Sequence, residues 1–362
     1  MAIVLPSLPS KSRTARFWPL VLVAILIPGS INTAQAQKDD SAQAHAQAQA
    51  FAAWKSVLRQ EALARGITGK VFDAEFKTLK LDDRVLRLDQ SQPEIHSTAD
   101  DYMTARLNPK RIAMGREAMQ TNATLLKKLS KKFAIEPHFI VALWGVESDY
   151  GHNRVKNNAV AALTTLAYDG RRAEFFRGEL LDCLWIIQNR RTAPHGMKGS
   201  WAGALGQVQF LPSSYLESAV NVDGLGPPHY WPDIWQNRSD IFASIANYMV
   251  QAGWKKGQGW GFEVVTPTNP IALSQMGMER QMSLADWAKI GVVAADGQGL
   301  KNGTILASLI RARDNDGDYY LVTDNFKAIL KWNRSVLFAL VVGRLADELE
   351  ATPATKREEK TK

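Results

Sequence analysis

The segment LWGVESDYG, residues 143–151, ends an apolar run with one carboxylate, Glu147, and then a glycine. Pro137, a little upstream, suits the first turn of a helix, where its missing N–H costs nothing. Four residues after it stand at positions i, i+3, i+4 and i+7: Ile140, Leu143, Trp144 and Glu147. Residues at this spacing share one face of a helix. The sequence therefore predicts a helix that ends at Gly151 and carries Glu147 on its inward-facing stripe.

The predicted position of Glu147 favours acid–base chemistry. A carboxyl group packed against Leu143 and Trp144 loses hydration, and the loss of hydration favours the protonated form. A carboxylic acid that is still protonated near neutral pH can act as a general acid. The segment alone leaves a second interpretation open, in which Glu147 is a structural residue paired with an interior arginine such as Arg154.

A second stretch, KGSWAGALGQVQFLPSSY (198–215), is too rich in glycine for a core helix. Its backbone could approach a ligand closely, and glutamine offers both a donor and an acceptor to sugar hydroxyl and acetamido groups. The polar candidates are Ser200, Gln207 and Gln209, and the aromatic candidates for covering a sugar face are Trp201 and Phe210. The alternative is a plain connecting loop.

Outside these two stretches the pattern is mostly helical. Apolar periodicity and end signals predict helices at 41–66, 111–135, 172–189, 239–254 and 336–350, with Ser239 as a cap candidate. Residues 255–325 are rich in glycine and contain short apolar pieces that predict a few strands. The charged residues 351–362 predict a disordered tail. The expected fold class is mainly α with a minor β part.

The first 36 residues have the features of a secretory signal peptide. KSRTAR supplies basic residues and no acid, FWPLVLVAILI (17–27) is apolar, and Ala34 and Ala36 fit the A-x-A rule for cleavage after Ala36. The rival interpretation, an uncleaved anchor, would need about 20 apolar residues, roughly twice this run. No cysteine near the cut offers a site for lipid attachment. After a low-complexity lead-in at 37–50, the mature chain is expected to be soluble and periplasmic.

The charge and the cysteine content narrow the class of protein. The chain of 362 residues has a formal net charge of +8, and removing the signal with its three basic residues leaves +5. A mildly basic exported protein would be drawn to an anionic polymer or a membrane surface, although ordinary solubility explains the charge equally well. Cys183 is the only cysteine, so the chain has neither an internal disulfide nor a CxxC metal site.

Taken together, these motifs resemble the family of membrane-bound lytic transglycosylase B, the peptidoglycan-cleaving enzymes of glycoside hydrolase family 103. ALWGVESDYG is similar to the family's catalytic-glutamate motif, and GSWAGALGQVQFLPSSY to its second signature. Further matches occur in the same order along residues 50–350: LDQSQPE (88–94), DDYM (100–103), RRAEFFRGELL (171–181), SIANYMVQAGW (244–254) and DNFKAILKWNRS (324–335). The resemblance implies a lysozyme-like catalytic domain over residues 51–350, with its β-containing part within about 255–325.

The resemblance also implies roles for individual residues. Glu147 matches the single catalytic acid/base. The residues that match substrate-binding positions are Tyr102, Ser200, Gln209, Phe210, Tyr248 and Asn333. Trp332 stands where relatives often have tyrosine, which puts in doubt any hydrogen bond made by that hydroxyl. Without the resemblance, Tyr248 could equally be a core residue, Tyr102 a surface aromatic and Asn333 a cap of the last helix.

Neither a cofactor nor a metal is expected. Some relatives carry a calcium loop where this chain has residues 221–240, but here only Asn221 and Asp223 would serve as ligands, and Leu225 stands where a third should be. The run RDNDGDYY (313–320) has its glycine too early for an EF-hand loop and predicts a turn between strands. His195 has no metal-like partner nearby and is expected to be a loop residue.

The mechanism expected from the resemblance depends on a single carboxylate. Ordinary glycosidases use two, but Asp149 lies about 200° around the helix from Glu147 and cannot face the same bond. The expected reaction cleaves the MurNAc–GlcNAc bond of peptidoglycan and closes a 1,6-anhydro ring without water. The rivals are a lysozyme-type muramidase and an inactive wall-binding module.

The expected partners are peptidoglycan glycan strands, with other cell-wall enzymes left open. No nucleic acid, no transmembrane anchor after signal cleavage and a monomer are also expected.

Overall fold

The computed structural model describes residues 31–90, 98–190, 197–222, 231–265, 267–301, 303–313 and 316–351. The apolar core of the predicted signal peptide, the loop around His195, residues 223–230 and the tail after residue 351 lie outside these ranges. The chain divides into two compact units, residues 1–55 and 56–362. In the first unit, residues 31–55 are helical, and the rings of Phe51 and Trp54 stack with centroids 5.8 Å apart.

Helices make up most of the described chain. In order they are α1 (Ile31–Ala64), α2 (Gly69–Phe76), α3 (Asp83–Gln90), α4 (Ala99–Arg106), α5 (Pro109–Thr121), α6 (Ala123–Phe133), α7 (Pro137–Ser148), α8 (Ala159–Asp169), α9 (Ala173–Arg190), α10 (Pro212–Ser218), α11 (Arg238–Gln251), α12 (Pro270–Ser274), α13 (Leu284–Lys289), α14 (Asp324–Trp332) and α15 (Val336–Glu350). The expectation of a mainly α protein is confirmed. None of the helices in the described ranges is long and apolar enough to span a membrane.

Two differences from the predicted helices have a local cause at a helix end. The single helix predicted at 111–135 is two helices, α5 and α6, because Asn122 ends the first with its amide nitrogen donating to the Ala118 carbonyl at 2.7 Å. The cap of α11 is Asn237, whose side-chain oxygen accepts from the backbone nitrogens of Ser239 and Asp240. Asparagine is among the strongest N-cap residues, so it takes the role expected of Ser239 two positions later.

Helix α7 is the central helix of the second unit. It begins at Pro137 as predicted and packs against α5, α6, α11 and α15. All residues from His138 to Gly145 are buried. The sequence predicted one inward-facing stripe, but over this part of the helix every face is turned to the protein interior. A helix that is apolar all round lies inside a protein. The helix ends after Ser148, where Asp149, Tyr150 and Gly151 all have positive φ angles.

The minor β part is also confirmed. Strands β3 (Gly261–Val264), β4 (Met282–Ser283), β5 (Leu306–Arg313) and β6 (Asp316–Val322) form an antiparallel sheet in the order β3-β6-β5-β4. A cluster of buried apolar residues that includes Trp287 and Leu309 packs against it. Strands β5 and β6 pair through Arg313 and Asp316, as expected for a turn between strands.

A short two-stranded sheet organises the loops beside the end of α7. Strand β1 (Asn157–Asn158) pairs with β2 (Lys198–Gly199) and so brings the glycine-rich stretch next to the segment that follows α7. Isolated bridges from Leu205 to Gly199 and to Phe210 then fold that stretch back on itself. The two sequence motifs, about 50 residues apart in the chain, therefore meet at one place.

Candidate active site

The side chain of Glu147 opens into a cleft at the C-terminal end of α7. The cleft has a volume of about 630 Å³ and is lined from three directions by Arg84 and Leu88 of α3, by residues 152–157 after α7, and by Ser200, Trp201 and Gln209 of the glycine-rich stretch. Among these lining residues, all of which the structure describes, Glu147 is the only Asp or Glu. Three of the predicted site residues, Glu147, Ser200 and Gln209, thus lie in one cleft.

The carboxylate of Glu147 accepts a hydrogen bond from Trp332. The indole Nε1 lies 2.6 Å from Glu147 Oε1, although the two residues are 185 positions apart in the chain. The sequence left a hydrogen bond from this position in doubt, and the structure shows one, because the indole N–H supplies a donor in place of the phenol. An indole N–H can only donate, so it fixes one carboxylate oxygen without competing for the proton.

An aromatic cluster supports this contact. The ring of Trp332 lies 5.1 Å from that of Phe210 and 4.8 Å from that of Tyr248, and Phe210 and Tyr248 are 5.5 Å apart. The Tyr248 hydroxyl donates to the Lys331 carbonyl at 2.7 Å, and burial raises the pKa of this hydroxyl. The predicted residues Phe210 and Tyr248 thus pack behind Trp332 and are not among the residues that line the cleft.

Ser200 is held so that its hydroxyl can donate into the cleft. Its Oγ accepts from the backbone nitrogens of Ala202 and Ala204, both at 3.2 Å. A hydroxyl has two acceptor positions and one donor, so the O–H remains for another group. Ser200 can therefore donate to an oxygen of a ligand beside Glu147.

Gln209 has a backbone conformation that is uncommon for a residue with a side chain. Its φ is +52°, in the left-handed region, and its amide nitrogen donates to the Gly206 carbonyl at 2.8 Å. Residues held in this region cost about 1–3 kcal/mol each and cluster at functional sites. Because the amide nitrogen is engaged by the Gly206 carbonyl, the amide oxygen of Gln209 remains as an acceptor at the edge of the cleft.

Gln207 has a structural role, contrary to the expectation that it could reach a ligand. Its side-chain oxygen accepts from Trp144 Nε1 at 2.8 Å, and its nitrogen donates to the Trp235 carbonyl at 2.7 Å. Gly151, at φ +82°, makes room for it, because a Cβ there would lie 2.4 Å from the Gln207 oxygen. The contacts tie the glycine-rich stretch to the core end of α7.

Tyr102 and Asn333, also predicted as substrate-binding, are not among the residues that line the cleft. Tyr102 is buried in α4, with the guanidinium of Arg106 3.6 Å from its ring centre. Asn333 follows α14, and its side-chain oxygen accepts from the Ser335 nitrogen at 3.0 Å. Ser335 itself caps α15, so Asn333 orients the turn that precedes the cap.

The nearest carboxylate in sequence points away from Glu147. Asp149 pairs with Arg111 at 3.3 Å and is not a lining residue of the cleft. Arg154, suggested as a structural partner for Glu147, forms no ion pair with any described carboxylate and lines the cleft instead. The sequence analysis did not predict that the polar run HNRVKN (152–157) lines the cleft. The position of this run directly after the glutamate motif could have indicated it.

No cluster of three or more His, Cys, Asp or Glu side chains suited to a metal occurs in the part of the chain that the structure describes. Asp223, one of the two possible calcium ligands in residues 221–240, lies outside that part. Asp240, fully buried at the start of α11, accepts from the backbone nitrogens of Val222 at 3.2 Å and Asp233 at 2.9 Å. Its carboxylate therefore ties the two ends of the loop through backbone amides.

Comparisons with known proteins identify the family of the chain. Residues 50–347 match the family described as the transglycosylase SLT domain. The chain is 32% identical over 223 residues to membrane-bound lytic murein transglycosylase B of Escherichia coli (strain K12), and the match covers 61% of this chain but only 58% of that protein.

Solved structures of two proteins are similar to most of the chain. SltB3 from Pseudomonas aeruginosa, solved with NAG-NAM-pentapeptide and with NAG-anhNAM-pentapeptide, is 38% identical with a TM-score of 0.76 and covers 83% of this chain and 80% of that one. The Escherichia coli lytic transglycosylase Slt35, solved with calcium, is 27% identical with a TM-score of 0.69 over 82% and 92% of the two chains. These likenesses confirm the lysozyme-like fold.

Proposed function

The chain belongs to the transglycosylase SLT domain family, and from this membership we propose that it is a lytic murein transglycosylase with Glu147 as its sole acid/base. The substrate is peptidoglycan, and the bond cleaved is the β-1,4 bond between N-acetylmuramic acid and N-acetylglucosamine. The products are 1,6-anhydromuropeptides. The related SltB3 has been solved with a NAG-NAM-pentapeptide and with a NAG-anhNAM-pentapeptide, which supports both the substrate class and the product.

The observation that carries the proposal is the single carboxylate in the cleft. A glycosidase that uses two carboxylates places them about 5–9.5 Å apart across the scissile bond. Glu147 is the only one among the described residues that line the cleft, and Asp149 is held by Arg111. With one acid, the group that attacks the sugar carbon must come from the substrate or be a poorly activated water.

The proposed reaction balances without water. Protonated Glu147 gives its proton to the bridging oxygen, the bond from that oxygen to C1 of the muramic sugar breaks, and the acetamido group of the same sugar stabilises the positive centre. The ionised Glu147 then takes the proton of the sugar's 6-hydroxyl, whose oxygen forms a new bond to C1. Glu147 ends protonated, as it began. Trp332 holds one oxygen of the carboxylate throughout, and Ser200 and Gln209 contact the sugar.

We extend the proposal to the layout of the chain. Residues 1–36 are an export signal, residues 37–50 a lead-in, residues 51–350 the catalytic domain and residues 351–362 a tail. The enzyme acts in the periplasm as a monomer on glycan strands and needs no cofactor. Four further residues shape the sugar-binding surface around Glu147: Tyr102, Phe210, Tyr248 and Asn333. Of these, Phe210 and Tyr248 pack against the ring of Trp332.

One observation favours a hydrolase as the second candidate. His152 lines the same cleft, and its Nδ1 lies 2.8 Å from the Asp149 carbonyl. If Nδ1 carries the proton, Nε2 is an acceptor that could activate a water. Digestion of purified sacculi separates the two reactions. Muropeptides one water lighter than lysozyme products, and resistant to borohydride, support the transglycosylase, whereas reducible ends as the main product would show the hydrolase.

A further inference from the structure

A second cleft lies directly behind the wall of the catalytic one. It has a volume of about 590 Å³, and residues 153–156 line both clefts. Four of its lining residues are cationic: Arg154, Lys156, Lys198 and Arg238. Among its described lining residues there is no Asp or Glu. The wall shared with the catalytic cleft is therefore basic on both sides.

Arg238 is the most informative of the four cations. It is half-buried at the start of α11, with its guanidinium 4.0 Å from the ring centre of Trp144. It forms no ion pair with any carboxylate in the described ranges, and burial lowers the pKa of its guanidinium. A cation that has lost hydration without gaining a counter-ion favours an anion brought by a ligand.

Three other partly buried arginines of the second unit have carboxylate partners. Arg177 pairs with Glu61 at 2.6 Å, and Arg344 pairs with Glu263 at 2.7 Å. Arg111 likewise pairs with Asp149 at 3.3 Å. The second cleft differs from these ion pairs. It brings together Arg238 and three further cations, and none of its described lining residues is a carboxylate. The cleft therefore favours an anionic ligand.

We propose that this second cleft binds the carboxylates of the peptide stem carried by the glycan strand whose glycosidic bond lies at Glu147. The inference rests on the proposed function. Stem peptides hang from the lactyl group of the muramic sugar and carry free carboxylates, including one at their C-terminus. A strand in the catalytic cleft would have to pass only the shared wall at 153–156 to place a stem among these cations. The site would thus select strands that still carry charged stems.

The test compares two substrates and three variants. The substrates are glycan strands with intact stems and the same strands after an amidase has removed the stems. Lys198→Gln and Arg238→Gln change cations that line the second cleft and not the catalytic one. Lys301→Gln, an exposed lysine in the β part, is the matched control. Lys198 is exposed, so its variant tests the site even if Arg238→Gln weakens the fold.

We expect each cleft variant to lower kcat/KM on stem-bearing strands about 5- to 10-fold, which is about 1–1.4 kcal/mol at 1.4 kcal/mol per factor of ten. The same variants should leave kcat/KM on stem-free strands within twofold. The control should match the wild type on both. Equal losses on the two substrates, or no loss on either, would overturn the stem site while leaving the proposed function intact.

A binding measurement separates failure of the site from failure of the function. Free stem tetrapeptide is titrated into the Glu147→Gln protein, so that no turnover is required. Binding that Lys198→Gln weakens, and that amidation of the peptide carboxylates abolishes, supports the site. Absence of peptide binding, or tighter binding of inorganic phosphate than of the peptide, contradicts it. If the wild type cleaves neither strand preparation, the proposed function itself is wrong.

Discussion

Glu147 and Trp332 form the contact on which the proposed chemistry depends most closely. The carboxylate must give up a proton and take one back at fixed positions, so any donor that holds it must not exchange protons itself. The indole nitrogen of Trp332 meets this requirement at 2.6 Å, since it donates and has no acceptor. The tryptophan is therefore a positioning residue whose effect should appear in turnover more than in substrate binding.

Replacing Trp332 tests this role. Trp332→Phe keeps a ring against Phe210 and Tyr248 but removes the donor. We expect kcat to fall about 10- to 100-fold with KM nearly unchanged, from the roughly 1.5–3 kcal/mol of a hydrogen bond to a charged group. Trp332→Tyr, which restores an O–H donor, should recover part of the loss. Wild-type kcat in the phenylalanine variant would show that the hydrogen bond does not matter.

Replacing Glu147 tests the acid/base itself. Glu147→Gln keeps the size of the side chain and removes the transferable proton, and we expect wall digestion to fall by about 10²–10⁴-fold or more. The melting temperature should stay close to that of the wild type. Asp149→Asn is the matched control, because Asp149 pairs with Arg111 outside the cleft and should retain most activity. More than a tenth of the wild-type rate in Glu147→Gln would exclude Glu147 as the acid/base.

At the scale of elements, α9 and α10 are joined by a buried carboxylate with a defined pH response. Glu179 accepts from the Ser213 nitrogen at 3.0 Å and from its hydroxyl at 2.7 Å, and burial raises the pKa of the Glu179 carboxyl. Its unfolded value is near 4.3. Because the folded value is the higher one, the stability it contributes is fully present below the unfolded pKa and is lost as the pH rises through the folded pKa.

This sign predicts how a variant should behave. Gln can still accept from the Ser213 nitrogen but does not titrate, so the melting temperature of the wild type relative to Glu179→Gln should fall as the pH rises from about 4 to about 7. Glu174→Gln, an exposed change on the same helix, is the control and should show a smaller trend. A wild-type advantage that grows with pH would contradict the sign of the shift.

The loop between α10 and α11 should be independent of calcium. Asp240 ties Val222 and Asp233 through their backbone nitrogens, so the ends of the loop are joined without a metal. We expect EDTA to leave the melting temperature and the activity unchanged within error, and Asp240→Asn to lower the melting temperature by several degrees because an amide cannot accept at both positions. A fall in melting temperature with EDTA that calcium reverses would show that the loop binds the ion.

For the whole molecule, local sequence patterns predicted the helical class and the start of α7, and the family resemblance implied that the two motifs serve one site. They could not predict what depends on distant residues. The buried surroundings of α7 come from four other helices, and the donor to Glu147 comes from α14, 185 residues away. Gln207 is a second example. The sequence allowed its side chain to face a ligand, but in the structure its oxygen accepts from Trp144 and its nitrogen donates to the Trp235 carbonyl.

The fate of oxygen at the cleaved bond tests the central claim most directly. In the proposed reaction the 6-hydroxyl of the muramic sugar attacks C1, and the intramolecular attack avoids an entropic cost of up to about 7–11 kcal/mol in well-aligned cases. Sacculi digested in water enriched with heavy oxygen should release anhydromuropeptides without label at C1 of the muramic sugar. Labelled, reducible muramic ends as the main product would contradict a transglycosylase and show that the cleft delivers water to the bond.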